Sequence, residues 1–217
     1  MGSHFRRMRE MELKDMEELW VRQAVDGDLD AFNQLVLKHQ DLAYRHALLM
    51  LNDGWLAEET VQESFLKAFQ HMPGFRGGSF RAWLMRIVTN TAYDTLRASS
   101  KRPTQPLLPD DDDGEEMESP RWLADPNASV EGAVEEDERA KFIYRTLNEL
   151  QDIYRNVITL VDLQDFDYEE AAQALNVPIG TVKSRLARAR MQLKEKLQAC
   201  PSEFENHQSW MQTSIYS

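Results

Sequence analysis

YEEAAQALNVPIGTVKSRLARAR, residues 168–190, is the stretch on which the fold turns. Tyr168, Ala171, Ala172 and Leu175 recur at i, i+3, i+4, i+7, the spacing of one face of a short helix. Asn176-Val177-Pro178 interrupts it, because proline withholds a backbone donor. Val182, Leu186, Ala189, Leu193 and Leu197 then mark a longer helix. Short helix, tight turn, basic helix is the helix-turn-helix pattern. Burying Val182, Leu186 and Ala189 leaves Lys183, Ser184, Arg185 and Arg188 facing outward. Thr181 falls at the helix start, where a hydroxyl and free backbone N–H groups can hold a phosphate. Lysine and arginine there can reach phosphates and guanine edges in the major groove. A basic helix by itself also suits a solvated amphipathic face. The short alanine-rich helix and the break before it favour the DNA-binding reading.

Upstream of this motif the pattern stays helical. Phe142, Ile143, Leu147 and Leu150 form one stripe, and Tyr154, Val157, Ile158 and Val161 another. Nearer the N-terminus, Met16, Leu19, Trp20 and Ala24 mark a helix ending at Gly27. Asp28 or Asp30 can cap the next, whose stripe runs Phe32, Leu35, Val36, His39, Leu42, Ala43, His46, Leu49 and Met50. Asn52-Asp53-Gly54 is its expected stop. Trp55, Leu56, Val61, Phe65, Ala68 and Phe69 mark a third helix, ended by Pro73-Gly74. After the Arg76-Gly77-Gly78-Ser79 turn comes a fourth, with Phe80, Trp83, Leu84, Ile87, Val88, Thr91 and Leu96. No stretch sustains period-two alternation. The expected fold is all-α: two small helical domains joined by an acidic flexible linker, with boundaries at 12–98, 99–137 and 138–198 and a tail at 199–217.

The linker holds the charge. Of 217 residues, 25 are Lys or Arg and 37 are Asp or Glu, a net −12. Pro109–Glu138 carries thirteen acids against the single base Arg121, so this segment accounts for the whole imbalance. Like charges and five prolines between Ser99 and Pro126 disfavour a compact element there. The apolar pair Trp122-Leu123 either docks elsewhere or packs on its own chain. By contrast, Phe75–Arg102 and Thr181–Gln198 each carry +5. An acidic pI, which ordinarily disfavours a nucleic-acid partner, therefore conceals two basic patches.

Other classes are excluded by composition. One cysteine, Cys200, forbids an internal disulfide framework and fits a reducing compartment, so a cytoplasmic location is expected. No run approaches the roughly 20 apolar residues of a membrane span. Arg6, Arg7 and Arg9 lead into no apolar segment, so no secretory signal is expected. The densest acids lie in a proline-broken segment rather than at fixed geometry, which argues against a metal-dependent enzyme. Cys200 and His207 are too few for zinc. No catalytic residue, metal or cofactor is expected.

Residues 168–190 resemble the promoter-binding helix-turn-helix of sigma factors. Glu58-Glu59-Thr60-Val61-Gln62-Glu63-Ser64-Phe65-Leu66-Lys67-Ala68-Phe69 and the stretch from Phe75-Arg76-Gly77-Gly78-Ser79-Phe80-Arg81 through Trp83-Leu84-Met85-Arg86 to Asn90 resemble their other main domain. Two such domains with only a linker between them are similar to the extracytoplasmic-function (ECF) subfamily, over about Asp15–Leu197.

The resemblance implies a subunit that directs core RNA polymerase to promoter DNA without catalysis of its own. Glu58, Glu59, Gln62 and Glu63 would then face the polymerase clamp. Phe75, Arg76, Gly78, Ser79, Arg81, Arg86, Asn90 and Arg97 would read and hold the opened −10 element. Tyr168, Thr181, Lys183, Ser184, Arg185 and Arg188 would read the −35 element. The acidic linker would thread the polymerase cleft, and a partner anti-sigma factor would act between the domains. Trp83, spaced with Phe80 and Ile87, reads as core before it reads as a stacking platform. The competing reading is a self-sufficient helix-turn-helix regulator of the LuxR type, which leaves the Glu58–Asn90 motifs unexplained.

Overall fold

In a computed structural model that describes residues 15–101 and 142–198 (side chains of 99–101 excepted), every regular element is helical. The first unit comprises α1 (15–25), α2 (Leu29–Leu51), α3 (Gly54–His71), a 3-10 turn at Met72–Gly74 and α4 (Phe80–Lys101). The second comprises α5 (142–148), α6 (Asp152–Ile158), a π-helical turn at Thr159–Leu163, α7 (Tyr168–Leu175) and α8 (Ile179–Gln198). The acidic segment beyond Lys101, Trp122-Leu123 and the tail with Cys200 and His207 lie outside the described residues.

Local chemistry sets the helix ends. Asp28 caps α2, its Oδ1 accepting from the Asp30 and Ala31 amides at 2.9 and 3.1 Å. Asn52 closes α2 in the left-handed conformation, φ 53°. Gly54, expected to belong to the stop, is instead the first residue of α3, because Asp53 caps that helix through the Leu56 amide at 2.8 Å. A single Asn-Asp pair thus ends one helix and starts the next. α4 extends to Lys101, beyond the expected boundary at 98, since no helix breaker precedes Pro103.

Leu35, Leu84, Met85 and Val88 are fully buried in the first unit, and Val157, Leu160, Val182 and Ala189 in the second. Truncating such a leucine to alanine costs about 2–5 kcal/mol. Two expectations fail. Met16 and Leu19 are 45% and 52% exposed, because α1 turns Glu17, Trp20, Val21 and Ala24 inward. That face is fixed by polar contacts: Glu17 pairs with Lys38 and lies 2.8 Å from His39 Nε2 on α2. Trp55, expected in the α3 stripe, is 70% exposed, and Phe69 is 42% exposed although its ring meets Phe32 edge-on at 5.1 Å.

The two units pack directly on one another, α4 against α7 and α2 against α6. Arg155, buried, directs Nη2 to the Met50 carbonyl at the C-terminal end of α2, where a cation opposes the helix dipole favourably. Asn148 donates to Asn52 at 2.6 Å, and Asn156 to the Tyr93 hydroxyl at 2.8 Å.

Candidate nucleic-acid interface

Three surfaces carry the residues singled out by sequence. On α3, Val61, Phe65 and Ala68 are buried, which leaves Glu58, Glu59, Gln62 and Glu63 in solvent. Glu63 pairs with Lys67 at 2.8 Å. Leu66, 64% exposed, follows Glu59 by seven residues and so continues the same face, while Trp55 precedes Glu59 by one turn. The stripe is therefore acidic in the middle and apolar at both ends. Sequence reading missed its apolar part by counting Trp55 as core.

The second surface begins at the Gly-Gly turn. Gly77 and Gly78 both take positive φ, 91° and 93°, which a side chain would strain. No atom lies within 4 Å of where a Cβ would stand, so conformation and not crowding requires glycine there. Ser79 caps α4 through the Ala82 amide at 3.2 Å. Phe75, Phe80 and Trp83 form a cluster with centroids 5.2–6.2 Å apart, and Trp83 is half-buried in it, as its spacing predicted. This cluster anchors the loop and leaves Arg76 exposed. Beside it, a cavity of about 430 Å³ is lined by Lys67, His71, Trp83, Arg86, Ile87 and Asn90 among others. Arg86 and Asn90, one helical turn apart, are both exposed, and Arg97 lies further along α4, 3.4 Å from Asp94. Lys67 and His71 reach this cavity from α3, which sequence spacing alone could not disclose.

Arg81 and Ser79 do not join that group. Arg81 is turned into the second unit: it donates to the Gln164 carbonyl, and its guanidinium sits 3.7 Å from the Phe166 ring centroid. Burial lowers its pKa, opposed by the carboxylates of Glu170, Asp165, Glu17 and Asp167. Ser79 Oγ donates to Glu170 at 2.7 Å.

The third surface is α8. Val182, Leu186 and Ala189 are buried, Lys183, Ser184 and Arg188 exposed, Arg185 and Thr181 partly so. Ser184 Oγ turns back to the Thr181 carbonyl at 3.0 Å. Tyr168, the first residue of α7, is 40% exposed, with the Lys183 ammonium 5.7 Å from its ring centroid. A helix-turn-helix with its cationic face in solvent, beside a glycine turn on a cationic helix, can hold phosphate backbones at two places.

Comparison with known proteins gives this arrangement its family. The Sigma-70 region 2 model matches residues 35–102, and the Sigma-70, region 4 model residues 143–193. RNA polymerase sigma-H factor of Pseudomonas aeruginosa is 34% identical over 190 residues, 85% of this chain and 95% of the relative. ECF RNA polymerase sigma-E factor of Escherichia coli (strain K12) is likewise 34% identical over 187 residues, 84% of this chain and 94% of the relative. The chain is an ECF RNA polymerase sigma factor. Among solved structures, CnrH in complex with the cytosolic domain of CnrY superposes with a TM-score of 0.62 at 26% identity, covering 85% of this chain and 98% of that one. RpoE of Bartonella quintana in complex with the anti-sigma factor NepR gives 0.59 at 28% identity, over 78% and 98%.

The region 2 match falls on the glycine turn and α4, which the LuxR-type reading left unexplained, so that reading has no support. Among the described residues no group of acids, histidines and cysteines could hold a metal, and no helix is long and apolar enough to cross a membrane.

Proposed function

We propose that this sigma factor engages core RNA polymerase through the exposed face of α3, with Glu58, Glu59, Gln62 and Glu63 meeting cationic groups and Trp55 and Leu66 seating on apolar ones. The −10 element is read by the loop Phe75–Ser79 together with Arg76, Arg81, Arg86, Asn90 and Arg97. The −35 element is read by Tyr168, Thr181, Lys183, Ser184, Arg185 and Arg188. The chain works in the cytoplasm without catalysis of its own, through domains at 12–98 and 138–198, and an anti-sigma factor restrains it. Support for restraint comes from relatives solved with NepR and with CnrY.

One observation carries the −10 assignment. Arg86 and Asn90 share a cavity with Lys67 and His71, next to the φ-positive glycine turn. Cationic and amide side chains around a recess suit an unpaired base with its phosphates. Run-off transcription tests the whole reading: purified core polymerase plus this chain should initiate at discrete start sites, and the chain alone should bind duplex promoter poorly. Operator binding without core polymerase, and no change in its start sites, would refute it.

A further inference from the structure

The loop from Phe75 to Ser79 is backed by a line of contacts that begins on α1, far from it in sequence. Glu17 presents Oε1 to His39 Nε2 at 2.8 Å and pairs through its other oxygen with Lys38. His39 is buried, and its ring centroid lies 5.5 Å from that of Phe80, the planes tilted by 49°. Phe80 in turn meets Phe75 at 6.2 Å and Trp83 at 5.6 Å. Trp83 is part of the wall of the cavity that Arg86 and Asn90 also line.

The first link is directional. Burial raises the Glu17 pKa, but hydrogen bonds from His39 and Lys38 outweigh that and bring it down to about 2. The carboxylate is therefore ionised at working pH and can only accept, which requires His39 Nε2 to donate. An imidazole held in one tautomer by a carboxylate offers its neighbour a ring of fixed orientation. Phe80 is 3% exposed and follows Ser79, the cap of α4. In so close-packed a site its ring cannot shift without moving the rings around it.

From this we infer that Glu17 and His39 are positioning residues for the −10 reader: through Phe80 they set where Phe75 and Trp83 stand, and so the shape of the loop and of the cavity beside it. The inference rests on the reading of that loop as a DNA surface. The His39 and Glu17 side chains are only 5% and 20% exposed, so their influence runs through the ring cluster rather than through contact with DNA.

The two partners of one carboxylate allow positioning to be separated from stability. Glu17→Gln keeps an amide oxygen that accepts from His39 and gives up the charge opposite Lys38. Lys38→Ala removes that ion pair and leaves the His39 contact whole. In the full chain labelled with fluorotryptophan, the Trp83 fluorine resonance, assigned by its loss in Trp83→Phe, reports the cluster without DNA. Glu17→Ala and His39→Leu should shift that resonance. Glu17→Gln and Lys38→Ala should leave it in place, even where they lower the urea midpoint. A resonance unmoved in Glu17→Ala and His39→Leu, or moved as far by Lys38→Ala, would overturn the positioning role.

The consequence for DNA is read as permanganate-detected opening of the −10 element by the chain assembled with core polymerase. Glu17→Ala should slow opening at least about five-fold, with Glu17→Gln and Lys38→Ala within about two-fold of wild type and core affinity unchanged. Equal opening by wild type and Glu17→Ala would overturn the inference, and so would a loss of core affinity in step with the opening rate, which assigns the defect to docking. If the wild-type assembly opened no −10 element, the DNA reading of the loop would fall and the consequence for DNA with it. The fluorine resonance would then still report whether Glu17 and His39 place Trp83.

Discussion

Arg190 grips Asp162 with two nitrogens, Nε at 2.9 Å from Oδ2 and Nη2 at 2.7 Å from Oδ1. The pair ties α8 to the π-helical turn after α6, and the Asp162 side chain is only 9% exposed. The bidentate hydrogen bond with Asp162 raises the Arg190 pKa, against burial. A planar fork matched to a carboxylate is not reproduced by lysine. Asp162→Ala should therefore destabilise the chain by about 2 kcal/mol, and Arg190→Lys should fail to restore the wild-type midpoint. Urea unfolding of both variants checks this, and a midpoint unchanged in Asp162→Ala would show the pair to be idle.

Arg188 lies two residues earlier and has the opposite character. It is exposed and projects from the cationic face of α8. Arg188→Ala should leave the unfolding midpoint in place while weakening −35-dependent transcription by about 1–3 kcal/mol for a lost base contact. The two arginines separate cleanly in a paired assay: one moves stability, the other promoter use. Equal transcription from wild type and Arg188→Ala would remove Arg188 from the reader set.

Periodicity disclosed the helices because their buried faces are apolar, and it misled where a face is polar or an apolar residue stays outside. The α8 core of Val182, Leu186 and Ala189 was legible for the first reason. The orientation of α1 was not: Glu17 packs inward because Lys38 and His39, about twenty residues on, await it. Nothing local encodes that pairing. The same holds for Arg81, which the resemblance of the Phe75–Arg81 loop placed with the −10 readers. Its partners Gln164 and Phe166 are more than eighty residues away, so their meeting depends on how two units pack. The cation-lined recess of α3 and α4 was half legible, Arg86 and Asn90 from α4 but not Lys67 and His71 from α3.

The apolar ends of the α3 stripe give a prediction for polymerase docking. Trp55 and Leu66 are 70% and 64% exposed, and large apolar groups flanking a charged centre commonly anchor a protein interface. Leu66→Arg should leave the helix content and unfolding midpoint unaltered and lower core polymerase affinity at least about ten-fold, the scale of a single anchor residue. Fluorescence competition for core polymerase measures it. Undiminished affinity would take Leu66 out of the docking surface and leave it to the acidic residues.

Acid sensitivity is the last expectation, and it comes from His46. The ring is fully buried between α2 and α4, its Nε2 3.0 Å from Thr89 Oγ1. Burial, aided by the positive charge of Arg155, lowers its pKa from 6.5 to about 4. The unfolded chain therefore binds a proton near pH 6.5 that the folded chain refuses until about pH 4. Between these values protons favour the unfolded state, so the His46 contribution is whole above pH 6.5 and lost as pH falls to 4. The full loss amounts to about 3 kcal/mol. Glu17 titrates in a separate window. Burial raises its pKa, but hydrogen bonds from His39 and Lys38 outweigh that and bring it down to about 2, so its contribution fades only below 4.5. Urea unfolding at intervals from pH 7 to 4.5 should show a steady decline in wild type and a much shallower one in His46→Gln, which cannot take up the proton. Parallel declines in the two proteins would assign the acid sensitivity to other groups.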